Sequence, residues 1–454
     1  MNEKTRFIEI ISILKNSALI RGFTPQKLCE TIIKLGPTFI KIGQIMSNRY
    51  DLLPKEYCDA LVNLRSNVTP MDFKEVNQIL KEELVMAMGC TEPIAISYAC
   101  AKATQVLDHL PDRIVVKASG SIIKNVKSVI VPHTNGLKGI EVAAAAGALY
   151  GDANAKLEVL SSATREQIEE LPEYVQNTNI TVQHIEQGHV FDLEINVYYE
   201  QEHASVRIVD THTNIVQIEK DWKVIFEDKT TSLEHKADHS ALIMKQIWDF
   251  AKTVDIEDVK EILDRQIACN MAIANEGIHN SYGANIGHVI LNMDLDCVKT
   301  RAKAYAAAGS DARMNGCELP VVINSGSGNQ GITCCVPVVV YAKELNSTQE
   351  QLYRALVLSN LTAIYIKTGI GTLSAFCGAV SAGAAAGAGI AYLHDGTYEE
   401  IQHTIVNALA ILSGTICDGA KASCAAKIAS SIDAGIMGYY MYKNKQQFYA
   451  GDGI

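Results

Sequence analysis

The chain has 454 residues, of which 48% are hydrophobic and 20% charged, with a formal net charge of −11. Such a length exceeds one ordinary hydrophobic core and favours two or three domains. The acidic balance and the lack of a long basic run count against nucleic-acid binding and fit a cytoplasmic protein.

Residues 1–84 read as helical. Ile8, Ile11 and Leu14, then Ile33, Leu35, Phe39 and Ile40, recur near helical spacing. Pro54 suits a first helical turn, and Thr69-Pro70-Met71-Asp72 marks a break. Residues 85–150 mix strands with helices. Ile114-Val115-Val116 and Val126 to Val131 are rich in β-branched residues, and Val142 to Leu149 forms an Ala-rich helix after a loop with Gly136 and Gly139. Four segments, at 180–184, 192–198, 204–209 and 215–218, largely alternate apolar and polar residues. That pattern predicts an antiparallel sheet with one wet face. Residues 227–245 are polar and read as a linker, and 246–442 read as helices broken by Gly-rich loops. The Ala/Gly stretch Gly378 to Leu393 is shorter than the about 20 apolar residues of a membrane span. It predicts a tightly packed buried helix, and no transmembrane segment is expected.

The expected fold is therefore α+β. A largely helical, Ala/Gly-rich catalytic domain carries an inserted α/β subdomain with an antiparallel sheet, after a helical N-terminal extension. The expected boundaries are 1–78, 79–154, 155–245 and 246–454. The Ala/Gly helices also offer a surface for a homo-oligomer.

Twelve cysteines without a secretory h-region point to a reducing compartment. Cys377, Cys417 and Cys424 sit in Gly/Ala-rich sequence, separated by 40 and 7 positions. Three thiolates can hold a [4Fe-4S] cluster and leave one iron open as a Lewis acid. Plain core packing explains buried cysteines equally simply. Gly89-Cys90-Thr91-Glu92-Pro93 separates two apolar segments. Gly89 gives a turn and Thr91 can cap the following helix. Cys90, at a helix N-terminus, is a candidate base or nucleophile because exposed amides stabilise a thiolate; the alternative is a structural cysteine. Asn324-Ser325-Gly326-Ser327-Gly328-Asn329-Gln330-Gly331 exposes backbone amides suited to a carboxylate or phosphate, with Asn329 as a side-chain donor. It lacks the Gly-Lys-Ser/Thr of a phosphate-binding loop. Cys334 and Cys335 read as core. Lys117 and His133 are weak candidates for a cation and a proton carrier. His184, His189, His203, His212, His235 and His239 show no metal-ligand spacing, and the nearest doublet, His235 and His239, lies in a charged stretch.

Two resemblances rest on these motifs. From about Ile79 onward the chain resembles the L-cysteine desulfidase family, relatives of the α-subunit of iron–sulfur L-serine dehydratases. The matching residues are 80–84, 88–95, 139–147, 324–332 and 414–424. The resemblance implies an oxygen-sensitive [4Fe-4S] cluster on Cys377, Cys417 and Cys424. It also implies Cys90 as proton acceptor, and Asn324, Ser325, Gly326, Ser327, Gly328 and Asn329 as binders of the substrate carboxylate. The implied reaction is α,β-elimination from L-cysteine to sulfide, ammonia and pyruvate, with a small amino acid as the sole implied partner. Residues 35–84 resemble the atypical kinases of ubiquinone biosynthesis, through Leu35 to Gln44, Asp51 to Tyr57 and Val68 to Phe73. No kinase lobe follows, so kinase activity is not expected.

Three rival readings stay open. L-serine can be the substrate on the same scaffold. A pyridoxal-phosphate lyase would need Lys367 or Lys421 as Schiff base. Structural zinc would need a fourth ligand, which the sequence does not offer in an obvious place.

Overall fold

In the computed structural model, the structure describes residues 24–35, 39, 42–43, 46–47, 52–62, 64, 72–228, 237, 239, 242–371, 374–449 and 452. The chain divides into two compact units, residues 1–72 with 238–246, and residues 73–237 with 247–454. In the first, α1 (Pro25–Leu35) and α2 (Lys55–Val62) enclose Cys29, Leu61 and Leu64, flanked by Leu28, Ile32, Met46 and Leu53. The apolar stripe at 8–14, and Lys41 and Gln44 of the kinase-like signature, lie outside the described residues.

The second unit opens with α3 (Phe73–Glu83), whose Val76, Ile79 and Leu80 are buried at spacings of three and four. After β1 (Met86–Met88) come α4 (Thr91–Leu107), β2 (Arg113–Ser119), α5 (Gly120–Val126), α6 (Ile140–Tyr150) and α7 (Arg165–Asn177). Then follow β3 (Asn179–Ile185), β4 (Asp192–Tyr199), β5 (Glu202–Val209), β6 (Ile215–Lys220) and β7 (Lys223–Glu227). The six strands form one sheet in the order β3-β2-β4-β5-β6-β7. It is mixed rather than purely antiparallel, because β2 and β3 run parallel. The helices α5, α6 and α7 between them supply the long crossover that parallel pairing needs. The β-branched run Val126 to Val131 forms no strand. Both edges of β2 are already taken by β3 and β4, so this run ends α5 and keeps a single bridge between Ile130 and Lys138.

The C-terminal helices are α8 (Met244–Thr253), α9 (Ile256–His279), α10 (Ile286–Met293) and α11 (Val298–Met314). A short strand β8 (Pro320–Val322) precedes α12 (Gly328–Glu344), α13 (Gln349–Ile370), α14 (Gly378–Leu393), α15 (Tyr398–Ile411) and α16 (Cys424–Lys443). The Ala/Gly helix α14 lies at the centre, packed on α12, α13, α15 and α16. Its small residues let backbones touch: a Cβ on Gly387 would stand 2.7 Å from the Gly435 carbonyl oxygen. The small-residue face is thus used inside the chain. No described helix is long and apolar enough to cross a membrane.

Asp311 on α11 shows how the helices are pinned together. Its carboxylate accepts the Ile286 amide at 2.7 Å, holding the start of α10. Burial, only partly offset by the Ile286 and Ala284 amides, raises its pKa from 3.8 to about 6. A raised acid pKa means that the folded state favours the protonated form. Its contribution is full below the unfolded value and is lost as pH rises through the folded one. The substitution Asp311→Asn is expected to flatten the pH dependence of Tm between about pH 4 and 6, which thermal melts across that window will check.

Candidate active site

Three segments meet in the second unit. The first is the start of α4. Gly89 has φ +58°, and a Cβ there would meet Pro132 at 2.2 Å, so only glycine fits the turn out of β1. Cys90, rather than Thr91, is the N-cap of α4. Thr91 instead begins the helix and donates its hydroxyl to the Gly326 carbonyl at 3.0 Å, tying α4 to the Ser/Gly/Asn turn. The Cys90 thiol, 1% exposed, donates to Glu92 Oε2 at 3.1 Å. Asn125 at the end of α5 donates to Glu92 Oε1 at 2.7 Å.

These contacts set the charges. Burial first, then the Glu92 carboxylate, pushes the Cys90 thiol well above its ordinary value, with Arg313 pulling the other way. The helix N-terminus does not prevail, because the thiol is dry and faces an acid. Burial would raise Glu92 too, but the His212 ring and the bonds from Cys90 and Asn125 hold it below the usual carboxylate range. At rest Cys90 therefore keeps the proton and Glu92 the charge.

The second segment is the turn before α12. Reciprocal amide–carbonyl bonds at 3.1 and 3.0 Å close it between Asn324 and Ser327, with Ser325 at φ +50° and Gly326 at φ +75°. The Asn324 side chain points inward, donating to Asn360 Oδ1 at 3.0 Å, while Gln266 and Asn360 bond each other. Asn324 thus anchors the turn from below. Ser327 caps α12 with no side-chain bond, which leaves the first-turn amides of the helix outside its ladder. Asn329 presents its oxygen, not its amide, to Arg313 Nη1 at 3.0 Å. Arg313 lies flat on Gly328, where a Cβ would stand 2.2 Å from Nε. His212, from the β5–β6 connection, sits 3.2 Å from where a Gly326 Cβ would be.

The third segment carries the cysteines. The Cys377 amide bonds the Thr415 carbonyl at 3.1 Å and the Cys417 amide bonds the Ala375 carbonyl at 2.8 Å. Two cysteines thus ride on paired extended segments, and Cys424 opens α16. Burial first raises the Cys377 and Cys424 thiols; each also feels Cys417, and Cys424 feels Cys377, with Lys427 opposing. Lys367, at the end of α13, is lowered by burial while Cys417 and Cys377 counter the shift. All twelve cysteines are free. Among the described residues no group of three His, Cys, Asp or Glu side chains closes around a single metal ion. Three thiols are the donor set of a cluster that keeps one iron open, whereas structural zinc takes four ligands.

The segments form one ring. Lys124 Nζ donates to the Cys417 carbonyl at 3.3 Å, and a Cβ on Gly419 would lie 3.2 Å from Asn125 Oδ1. Ala420 packs against Cys90, Val129 and Met314. A Cβ on Gly378 would meet the Gln330 amide at 2.7 Å, so α12 abuts the Cys377 end of α14. Three buried atoms around this ring have no hydrogen-bond partner: Asn125 Oδ1, Arg313 Nε and Gln330 Oε1. Such groups are costly to bury unless a ligand completes them.

The chain matches the family described as serine dehydratase alpha chain over residues 154–453. It belongs to that family. A UPF0597 protein of Desulfitobacterium hafniense is 55% identical over 378 residues, covering 83% of this chain and 88% of the relative. UPF0597 proteins of Lachnoclostridium phytofermentans and Finegoldia magna are 51% and 50% identical over 383 residues, each covering 84% of this chain and 92% of the relative. This member of the serine dehydratase alpha chain family therefore has a lyase-type scaffold. The matched span holds the Ser/Gly/Asn turn and the three cysteines, while Cys90 and Glu92 precede it. The kinase-like likeness of residues 35–84 also falls outside that span.

Glu92 stood in plain view within the Gly-Cys-Thr-Glu-Pro motif. Asn125 and Arg313 carry no sequence signal of their own, since each is brought in by a separate element, whereas Gln330 stood inside the Ser/Gly/Asn motif and His212 among the histidines of the sheet region. Other sequence candidates lie apart: Lys117 pairs with Glu194 at 2.8 Å, and His133 contacts Met88 and Glu318. Cys334 and Cys335 are fully buried core, Lys421 pairs with Asp418 at 3.2 Å, and His235 lies outside the described residues.

Proposed function

We propose that the protein is an iron–sulfur-dependent L-cysteine desulfidase, eliminating sulfide from L-cysteine to yield ammonia and pyruvate. One observation carries the reading: paired backbone segments bring Cys377 and Cys417 together, Cys424 opens the next helix, and contacts from Lys124, Gly419 and Ala420 join this stretch to the Cys90–Glu92 pair. Cys377, Cys417 and Cys424 would hold the [4Fe-4S] cluster. When bound, it supplies Lewis-acid stabilisation of the leaving group through an iron with no protein ligand.

The chain's own residues handle the proton and the pose. Cys90 takes the α-proton as it passes its own to Glu92 across the 3.1 Å contact, so the net acceptor is the carboxylate. Substrate Cα loses its proton and the β-carbon its sulfur. The resulting enamine hydrolyses to pyruvate and ammonia. The turn Asn324 to Asn329 and the first amides of α12 orient the substrate against this pair. Twelve free cysteines suit a reducing cytoplasm.

L-serine is the second reading, favoured by the family's description. The proton path would be the same and only the leaving group differs. The test is anaerobic pyruvate release from both amino acids before and after reconstitution with iron and sulfide. Release only after reconstitution, with L-cysteine turned over faster, is expected. Faster turnover of L-serine would give the scaffold to the dehydratase reading. No pyruvate from either, despite an assembled cluster, would defeat both.

A further inference from the structure

We infer that Arg313 is the receptor for the substrate's α-carboxylate, so that the site selects amino acids over their uncharged amides. The inference rests on the lyase reading for its substrate class, but its evidence is separate. Arg313 is 3% exposed, yet among the described residues no carboxylate forms an ion pair with it. Its hydrogen bonds go to neutral atoms, Asn329 Oδ1 at 3.0 Å and Met314 Sδ at 3.4 Å. Its Nε has no partner. A buried guanidinium without a counter-ion is unfavourable, and its planar fork matches a carboxylate.

The acid facing the same site is not available to it. Glu92 already serves Cys90, Thr91 and Asn125. The missing negative charge is therefore a ligand's. Gly328 packs directly against the guanidinium, where any side chain would collide with it, so the turn before α12 and Arg313 are held together. The residue next to it, Met314, packs against Cys90, which sets Arg313 beside the start of α4. A carboxylate held on Arg313 thus leaves its Cα beside the proton-accepting pair.

The test uses cluster-loaded, full-length protein and calorimetric binding of L-alanine and L-alaninamide. L-alanine has the carboxylate and amine but no leaving group, so its binding does not depend on elimination. Wild-type protein is expected to bind L-alanine about 100-fold more tightly than the amide. Arg313→Gln is expected to abolish that preference. Arg313→Lys keeps the charge but not the fork, and is expected to bind L-alanine about tenfold more weakly than wild type. If Arg313→Gln does not fold, Arg313→Lys decides the matter: L-alanine affinity equal to wild type overturns the inference. It is equally overturned by a folded Arg313→Gln with unchanged L-alanine affinity, or by wild-type protein that does not prefer L-alanine. A protein that passes while releasing no pyruvate from L-cysteine or L-serine supports the carboxylate site and defeats the lyase reading instead.

Discussion

Replacing Cys377 by Ala and reconstituting anaerobically is expected to yield protein that holds little iron and releases no pyruvate. Cys377 is 7% exposed and enters α14 as its N-cap, with its amide held by the Thr415 carbonyl. Those backbone bonds do not need the sulfur, so the fold should persist while one of the three proposed cluster ligands is lost. Cys417→Ala and Cys424→Ala are expected to behave alike, because all three thiols are proposed as ligands of one cluster. Cys334→Ala is the control. It is buried with Ala363, Ala382 and Ala385, and the substitution removes packing worth on the order of 1 kcal/mol without touching the triad. Iron per chain, visible absorption and Tm together separate the two outcomes. A Cys377→Ala protein with full iron and full turnover would falsify the assignment of the triad.

The second large effect concerns Glu92. The substitution Glu92→Gln is expected to lower kcat by about 10²–10⁴ while iron content stays at the wild-type level. Glutamine keeps the shape of the side chain and can still accept the Cys90 thiol bond. Asn125 donates to Glu92 and has its Oδ1 unpartnered, so turning its amide lets it accept from the substituted side chain. What glutamine cannot do is receive the proton. The folded Glu92 lies below the ordinary carboxylate range, despite burial, because of His212, Cys90 and Asn125. Its contribution to stability is therefore present above the unfolded pKa and lost as pH falls through the folded one. Glu92→Gln is expected to remove that acid-side component as well, which melts below about pH 5 will show. Turnover at the wild-type rate would remove Glu92 from the proton path and return Cys90 to acting alone.

The sequence and the structure divide the work unevenly. The helical C-terminal region was legible because Ala, Gly and apolar residues leave little choice but close helix packing. The strands at 180–218 were legible from their alternation and β2 from the run Ile114-Val115-Val116, but the parallel pairing of β2 with β3 was not, since a parallel neighbour lies far off in sequence. The run Val126 to Val131 misled for the related reason that strand propensity produces a strand only where a ladder edge is free.

The site followed the same rule. Cys90, the turn Asn324 to Asn329 and the cysteines Cys377, Cys417 and Cys424 stood out as unusual residues in unusual local sequence. Local sequence also placed Cys90 at a helix start, which argued for an easily ionised thiol. The tertiary structure reversed that expectation, because Glu92 and burial act through space and outweigh the helix terminus. Likewise Asn324 had the composition of a ligand-facing residue, and the fold turned it inward to Asn360. Arg313 and Asn125 became site residues only by convergence, and His212, one histidine among several in the sequence, gained a place beside Glu92 the same way. Sequence by itself determined the chemistry available: three thiols, a thiol–acid motif and a tight amide-rich turn. Only the tertiary structure decided which charges face one another, because burial and Coulomb interactions depend on distance in space and not along the chain.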